Sequence, residues 1–185
     1  MKRYFIGIDP GKTGAVAIIT DSGYADVFDF GMDSLKALTV LAEKEKPFQI
    51  LAIIEAASSF SSTGQAQGGL SMVNYGKAYG EAQGWLRALK IPQDVDVRPD
   101  VWKRDLRLNI APLKKQSDKK KQTAAMTAWR KKKKEVSFEL ARRLFPVLAL
   151  DKLTRQKDHN RAEALLIAEW LRRRFLFKEP DYNTD

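Results

Sequence analysis

Apolar residues along this chain keep two rhythms, and those rhythms divide it into strands and helices. Residues 3–9, 14–20 and 24–30 are short runs dense in β-branched and aromatic side chains. They are separated by Pro10-Gly11-Lys12-Thr13 and Asp21-Ser22-Gly23, both made of turn formers. Together they predict an antiparallel meander. Residues 34–46 carry Leu35, Leu38, Leu41 and Ala42 at helical spacing, with Ser34 or Asp33 to cap the first turn. Residues 48–55 are a near-continuous apolar run, the pattern of a central strand buried on both faces.

Beyond residue 55 the pattern is broken more often. Residues 58–69 are rich in Ser, Gly and Gln and predict a loop. A helix is expected over 70–90, where Gly76, Gly80 and Gly84 share one face and permit close packing against the sheet or another subunit. A fifth, short strand is expected at 94–98, with Pro99 starting a turn into Val101-Trp102-Lys103-Arg104. Residues 136–145 predict an amphipathic helix stopped by Pro146, and 160–177 a last helix. The order is that of a mixed α/β domain with an antiparallel half. One domain is expected over residues 1–178, with a basic insertion at about 109–133 and a frayed tail at 179–185.

Composition narrows the chemistry. At 185 residues and 44% hydrophobic content the chain can bury one proper core, and no run reaches the roughly 18 apolar residues of a membrane span. It contains no cysteine and a single histidine, His159, which removes thiolate catalysis, disulfides and Cys- or His-rich metal sites. Any metal would be held by oxygen, which points to Mg²⁺ or Mn²⁺. The net charge of +10 favours a polyanionic partner. Much of it sits in one stretch: Lys114, Lys115, Lys119, Lys120, Lys121, Arg130, Lys131, Lys132, Lys133 and Lys134, opposed by Asp118 alone. That stretch reads either as a solvated loop or as a phosphate-backbone contact.

Against this background, four carboxylates stand out. Asp9 ends the first apolar strand and Glu55 the central one, where an ionised group is costly unless paired or metal-bound. Glu163 falls on the apolar stripe of the last helix with Leu166, Ile167 and Trp170, and Asp158 lies just before that helix. Brought together they would repel one another, and two divalent ions about 3.5–4 Å apart would relieve the repulsion and suit phosphodiester hydrolysis. Each residue also has a plainer reading. Asp9 could be a turn acceptor before Pro-Gly, Glu55 a strand-end ion pair, and Asn160 with Glu163 a capping box. His159 reads as a loop or phosphate-facing residue rather than a base.

The chain resembles the RuvC-type Holliday-junction resolvases, especially their phage and chloroplast branch. The resemblance is carried by Ile6-Gly7-Ile8-Asp9-Pro10-Gly11 with Thr13-Gly14, by Ile53-Ile54-Glu55, by Trp102-Lys103, by residues 134–146 and by 158–168. It implies a ribonuclease H-like fold with a central mixed five-stranded sheet, three strands antiparallel and two parallel. It also implies a homodimer that nicks opposing strands of a four-way DNA junction, with two Mg²⁺ ions that Mn²⁺ can replace. Asp9, Glu55, Asp158 and Glu163 would be the metal ligands and Lys134 the contact to the scissile phosphate. Bacterial members space their last two acids three residues apart; here Asn160 holds that position and Asp158 lies five before Glu163. Lys12, Lys103 and the lysines at 114, 115, 119–121 and 131–133 would contact DNA. Phe60 is either a wedge stacked on a base at the junction centre or a loop aromatic folded onto the core. With Met1-Lys2-Arg3 leading straight into a strand, a bacterial or phage-infected cytoplasm is expected, though chloroplast relatives leave an organelle open.

Other readings compete. An actin-like or sugar-kinase ATPase also opens with a strand, an Asp and a Gly/Thr turn, but needs a second such half. A non-catalytic nucleic-acid-binding protein and a nuclease acting on RNA, forks or flaps remain alternatives.

Overall fold

The computed structural model describes residues 2–56, 69–111, 113 and 118–177. The opening meander forms as β1 (Tyr4–Asp9), β2 (Ala15–Thr20) and β3 (Ala25–Asp29), followed by α1 (Met32–Lys44) and β4 (Ile50–Ile54). Then come α2 (Gly69–Ala88), α3 (Pro99–Asp105), α4 (Lys119–Leu144), α5 (Leu148–Asp151) and α6 (His159–Leu176). The sheet order is β3-β2-β1-β4. β1 pairs antiparallel with β2 and parallel with β4, through Ile8 opposite Ile54. No described helix is long and apolar enough to cross a membrane.

The period-two alternation of the strands divides the core into two layers. Tyr4, Ile6, Ile8, Ala52 and Ile54 face α1 and α2, packing with Leu38, Leu41, Ala82 and Leu86. Phe5, Ala15, Ala17, Ile19 and Ile53 face α6, with Phe138 and Ala141 of α4 and Trp102 of α3. Helix α6 rests almost on the backbone of β1. A Cβ built on Gly7 would meet Ala168 N at 2.3 Å and Ala164 O at 2.5 Å, so only glycine permits this approach. Asp9 and Glu55 continue the register of Phe5–Gly7 and Ile53, and so belong to the α6 face.

Three expectations are corrected. The described residues form four strands, not five. Residues 92–97 run beside β4 as two isolated parallel bridges, Ala52 to Gln93 and Glu55 to Val97. Ala52 donates to Pro92 O at 2.9 Å and accepts the Asp94 N–H at 2.8 Å, but Ile54 O next accepts the Val97 N–H at 3.1 Å, so three residue steps here match two on β4 and the ladder is interrupted. Second, Pro99 opens helix α3 at its first position rather than a turn. Third, the basic stretch is not separate from the helix expected at 136–145. From Lys119 to Leu144 there is no Gly or Pro, and the Asp118 carboxylate caps the start by accepting the Lys121 N–H at 2.9 Å. The resulting α4 of 26 residues is ~39 Å long. No described side chain before Ser137 in α4 is buried.

The glycines of α2 do not serve sheet packing. Ala78, Ala82 and Leu86 face the core, whereas a Cβ on Gly76, Gly80 or Gly84 would meet nothing within 4 Å.

Candidate active site

Asp9 and Glu55 leave neighbouring parallel strands at the same end, and Glu163 comes down onto them from α6. The turn after β1 is tight: a Cβ on Gly14 would lie 2.1 Å from the Asp9 carbonyl oxygen, so the chain doubles back directly against the Asp9 backbone. The Glu55 backbone is held from both sides, its N–H donating to Ile8 O at 2.9 Å. Its carboxylate Oε1 accepts the indole N–H of Trp102 at 2.8 Å. Glu163 Oε1 is 2.7 Å from the Lys103 ammonium, with less than a fifth of either side chain exposed.

Electrostatics tie these groups together. Burial, then the charges of Glu55 and Glu163, push the Asp9 carboxyl well above the usual carboxylate range, against opposing pulls from Lys103 and Lys134. Burial and Glu163 raise Glu55 to about 7, with Lys103 and the Trp102 N–H acting the other way. For Lys103, burial would lower the pKa, but Glu163, Glu55 and Asp9 outweigh it and raise it. The cluster is therefore three carboxylates with one resident counter-charge.

Cations border this cluster on the α4 side. Burial and Lys103 lower Lys133, whose ammonium lies 4.5 Å from the Trp129 ring centre. The Lys134 ammonium is 2.9 Å from His159 Nε2, and His159 Nδ1 is 3.2 Å from Gln156 O. With the ring N–H donated to that carbonyl, Nε2 accepts from Lys134, which requires neutral imidazole. Burial and Lys134 both hold the His159 pKa down.

The structure does not bring Asp158 to these three acids. It is buried at the start of α6, where its carboxylate accepts the Arg155 N–H at 2.9 Å and pairs with the Arg155 guanidinium at 3.3 Å. Burial would raise it, but the Arg155 N–H and guanidinium, with Arg161, hold its carboxyl below the usual range. Asp158 lines a separate cavity of about 300 Å³ with Lys12, Arg155 and Arg161. Asn160 lies there too, its amide donating to the Thr13 hydroxyl at 2.9 Å and to the Thr13 carbonyl. Because α6 already begins at His159, Asn160 is inside the helix and the capping box with Glu163 does not form.

Of the remaining sequence candidates, Lys120, Lys121, Lys131 and Lys132 are exposed along α4, and Lys119 opens that helix. Phe60, Lys114 and Lys115 lie outside the described residues. Sequence reasoning gave Trp102 no role and read Lys103 as a DNA contact. Pro99 followed by Asp100 at the start of an apolar segment was a helix-start signal that would have placed both side chains on one element.

Among the described residues, no three acidic or histidine side chains are gathered closely enough to hold a metal ion as they stand. The chemistry of Asp9, Glu55 and Glu163 nevertheless fits a hard divalent cation. All three offer only oxygen, and Asp9 and Glu55 are pushed up by burial and then by the neighbouring carboxylate charge.

No protein-family model and no curated protein sequence matches the chain. Among solved structures it is similar to T. thermophilus RuvC in complex with a Holliday junction substrate, at 15% identity and a TM-score of 0.49, over 96% of each chain.

Proposed function

We propose that this chain is a structure-selective, divalent-metal-dependent endonuclease that resolves four-way DNA junctions, built as a single ribonuclease H-like nuclease domain over residues 1–178. The observation that carries the reading is the meeting of Asp9, Glu55 and Glu163 on one sheet face, at the ends of two parallel strands and under one helix. The strand order β3-β2-β1-β4, with residues 92–97 in the position of a fifth strand, supports the same fold reading. So do the motifs that resemble the RuvC-type resolvases.

In this reading Asp9, Glu55 and Glu163 would hold a cation, Mg²⁺ or Mn²⁺ in its place, which would supply the Lewis acidity for phosphodiester hydrolysis. The two-ion form needs a further oxygen ligand, since Asp158 is engaged by Arg155. Water attacks phosphorus, the bond to the 3′ oxygen breaks, and the products carry a 3′-hydroxyl and a 5′-phosphate. Lys134, with neutral His159 beside it, and Lys133 bring positive charge to the scissile phosphate from α4. Lys103, now paired with Glu163, would be available to the same phosphate if a cation took its place. Lys12, Lys120, Lys121, Lys131 and Lys132 meet the phosphates of the flanking duplex, joined by Lys114, Lys115 and Lys119 in sequence. The solvent-facing part of α4, about 16 residues long, reaches ~24 Å, the span of roughly seven base pairs. Phe60 stacks on an exposed base.

A homodimer matches a two-fold junction. Its seam is assigned to α2, where Gly76, Gly80 and Gly84 face open space beside the exposed Leu70 and Val73. Sedimentation equilibrium that returned only monomer would remove this part of the reading.

The test is Mg²⁺-dependent cleavage of a synthetic four-way junction beside a linear duplex of the same sequence, with Asp9→Asn as control. Junction-selective nicking by the wild type and none by the variant is expected. Equal cutting of both substrates refutes the selectivity, and undiminished cutting by Asp9→Asn refutes the site.

A further inference from the structure

Helix α3 contributes two consecutive side chains to the cluster, and they act differently. Lys103 neutralises Glu163 at 2.7 Å. Trp102 is fully buried, and its indole N–H reaches Glu55 Oε1 at 2.8 Å. An indole is a donor only, and when buried it must find an acceptor. Here the acceptor is a carboxylate of the candidate site, not a backbone carbonyl. The other large buried indole, Trp170, spends its N–H on Asp105, away from the cluster.

We propose that Trp102 is a positioning residue: its N–H fixes one oxygen of Glu55 and so sets the second oxygen for a divalent cation. The inference rests on the nuclease reading above. A neutral donor suits the task. A lysine or arginine at this place would cancel the charge that the cation needs, whereas the indole orients the carboxylate and leaves most of its charge available. The anchoring is rigid at both ends. Trp102 sits in the α6-facing core with Phe5 and Ile53, and the Glu55 backbone is pinned to Ile8 and Val97. The side-chain torsions of Glu55 are the remaining freedom, and the indole N–H is what restricts them. Outer partners of this kind change metal affinity by about 10–100-fold when removed.

The experiment is Mg²⁺ binding to the full chain by titration calorimetry, in wild type, Asp9→Asn and Trp102→Phe. Phenylalanine keeps an aromatic ring in the core and removes the N–H. The expected result is binding by the wild type, none by Asp9→Asn, and binding about 10–100-fold weaker by Trp102→Phe. Equal affinity in wild type and Trp102→Phe overturns the inference and leaves the nuclease reading standing. Absence of binding in the wild type overturns both. A second readout does not depend on the folding of Trp102→Phe. The chain has four tryptophans, so ¹⁵N spectra show four indole N–H resonances, and Glu55→Gln identifies the one bonded to Glu55. That resonance shifts as Mg²⁺ is added to the wild type. If Mg²⁺ binds and the resonance stays in place, the indole does not sense the cation and the inference fails.

Discussion

The metal-free protein should lose stability as pH rises through the range where most proteins are steady. Glu55 has an ordinary pKa of 4.5 and is raised to about 7 by burial and by Glu163. A carboxyl raised in the folded state binds a proton more tightly there than in the unfolded chain. Its contribution is therefore fully present below about pH 4.5 and is lost as pH climbs to about 7. Raising this carboxyl from 4.5 to about 7 corresponds to ~3 kcal/mol. Asp9, also raised, adds to the loss in the same direction. His159 works against it: its lowered pKa means that the folded state favours neutral imidazole, and stability is gained as pH rises toward its ordinary value of 6.5 and is complete above it. Comparison with Glu55→Gln removes such background. Urea unfolding in EDTA at pH 5 and pH 8 should show wild type losing about 2–3 kcal/mol more than Glu55→Gln over that interval. Saturating Mg²⁺ should abolish the difference by binding the ionised cluster. A wild-type excess below ~1 kcal/mol in EDTA would refute the claim that these carboxylates are buried together without enough counter-charge.

Gly7→Ala should cost about 3 kcal/mol or prevent folding, because its Cβ would collide with the α6 backbone at Ala168 and Ala164; unfolding within ~1 kcal/mol of wild type would mean that α6 does not lie where described. Replacing Lys120, Lys121, Lys131 and Lys132 together by Gln should weaken junction binding and reduce the slope of log K against log salt by about 3–4. An unchanged slope across several salt concentrations would make the exposed half of α4 a solvated helix with no phosphate contacts.

Much of the fold was legible because local signals and tertiary packing agree in it. The β1–β2 and β2–β3 joins are short and rich in Gly, Pro, Asp and Ser, so the meander follows from nearest-neighbour chemistry. The α4 helix was misjudged for the converse reason. Its first half has no apolar face to bury, so hydrophobic periodicity is silent there, while Ala124, Ala125 and Ala128 and the flanking lysines favour helix regardless. Propensity, not pattern, sets where that helix begins. The fifth strand failed on backbone chemistry. Pro92 and Asp94 both bond to Ala52, but an extra residue before Val97 interrupts the ladder, and Val95 ends up exposed while Val97 is buried.

The site divides along the same line. Asp9, Glu55 and Glu163 were legible because strand and helix periods place each of them on a face that must be covered. Asp158 belongs to no period. It sits in a single 3-10 turn, Gln156–Asp158, before α6, where the fate of a carboxylate depends on which cation the turn presents, and Arg155, three residues earlier, presents one. Lys103 and Trp102 were hidden for another reason. Their partners are 60 and 47 residues away in sequence, so only the docking of α3 against α6 and the end of β4 brings them into contact. What results is a site whose acids come from regular elements and whose restraints come from a seven-residue helix. The acids supply the negative charge, Lys103 balances part of it, and the Trp102 N–H holds Glu55 without balancing any. The division predicts opposite effects on cation affinity when α3 is altered. Removing the Lys103 charge takes away a competitor of the cation, whereas removing the Trp102 N–H takes away a support.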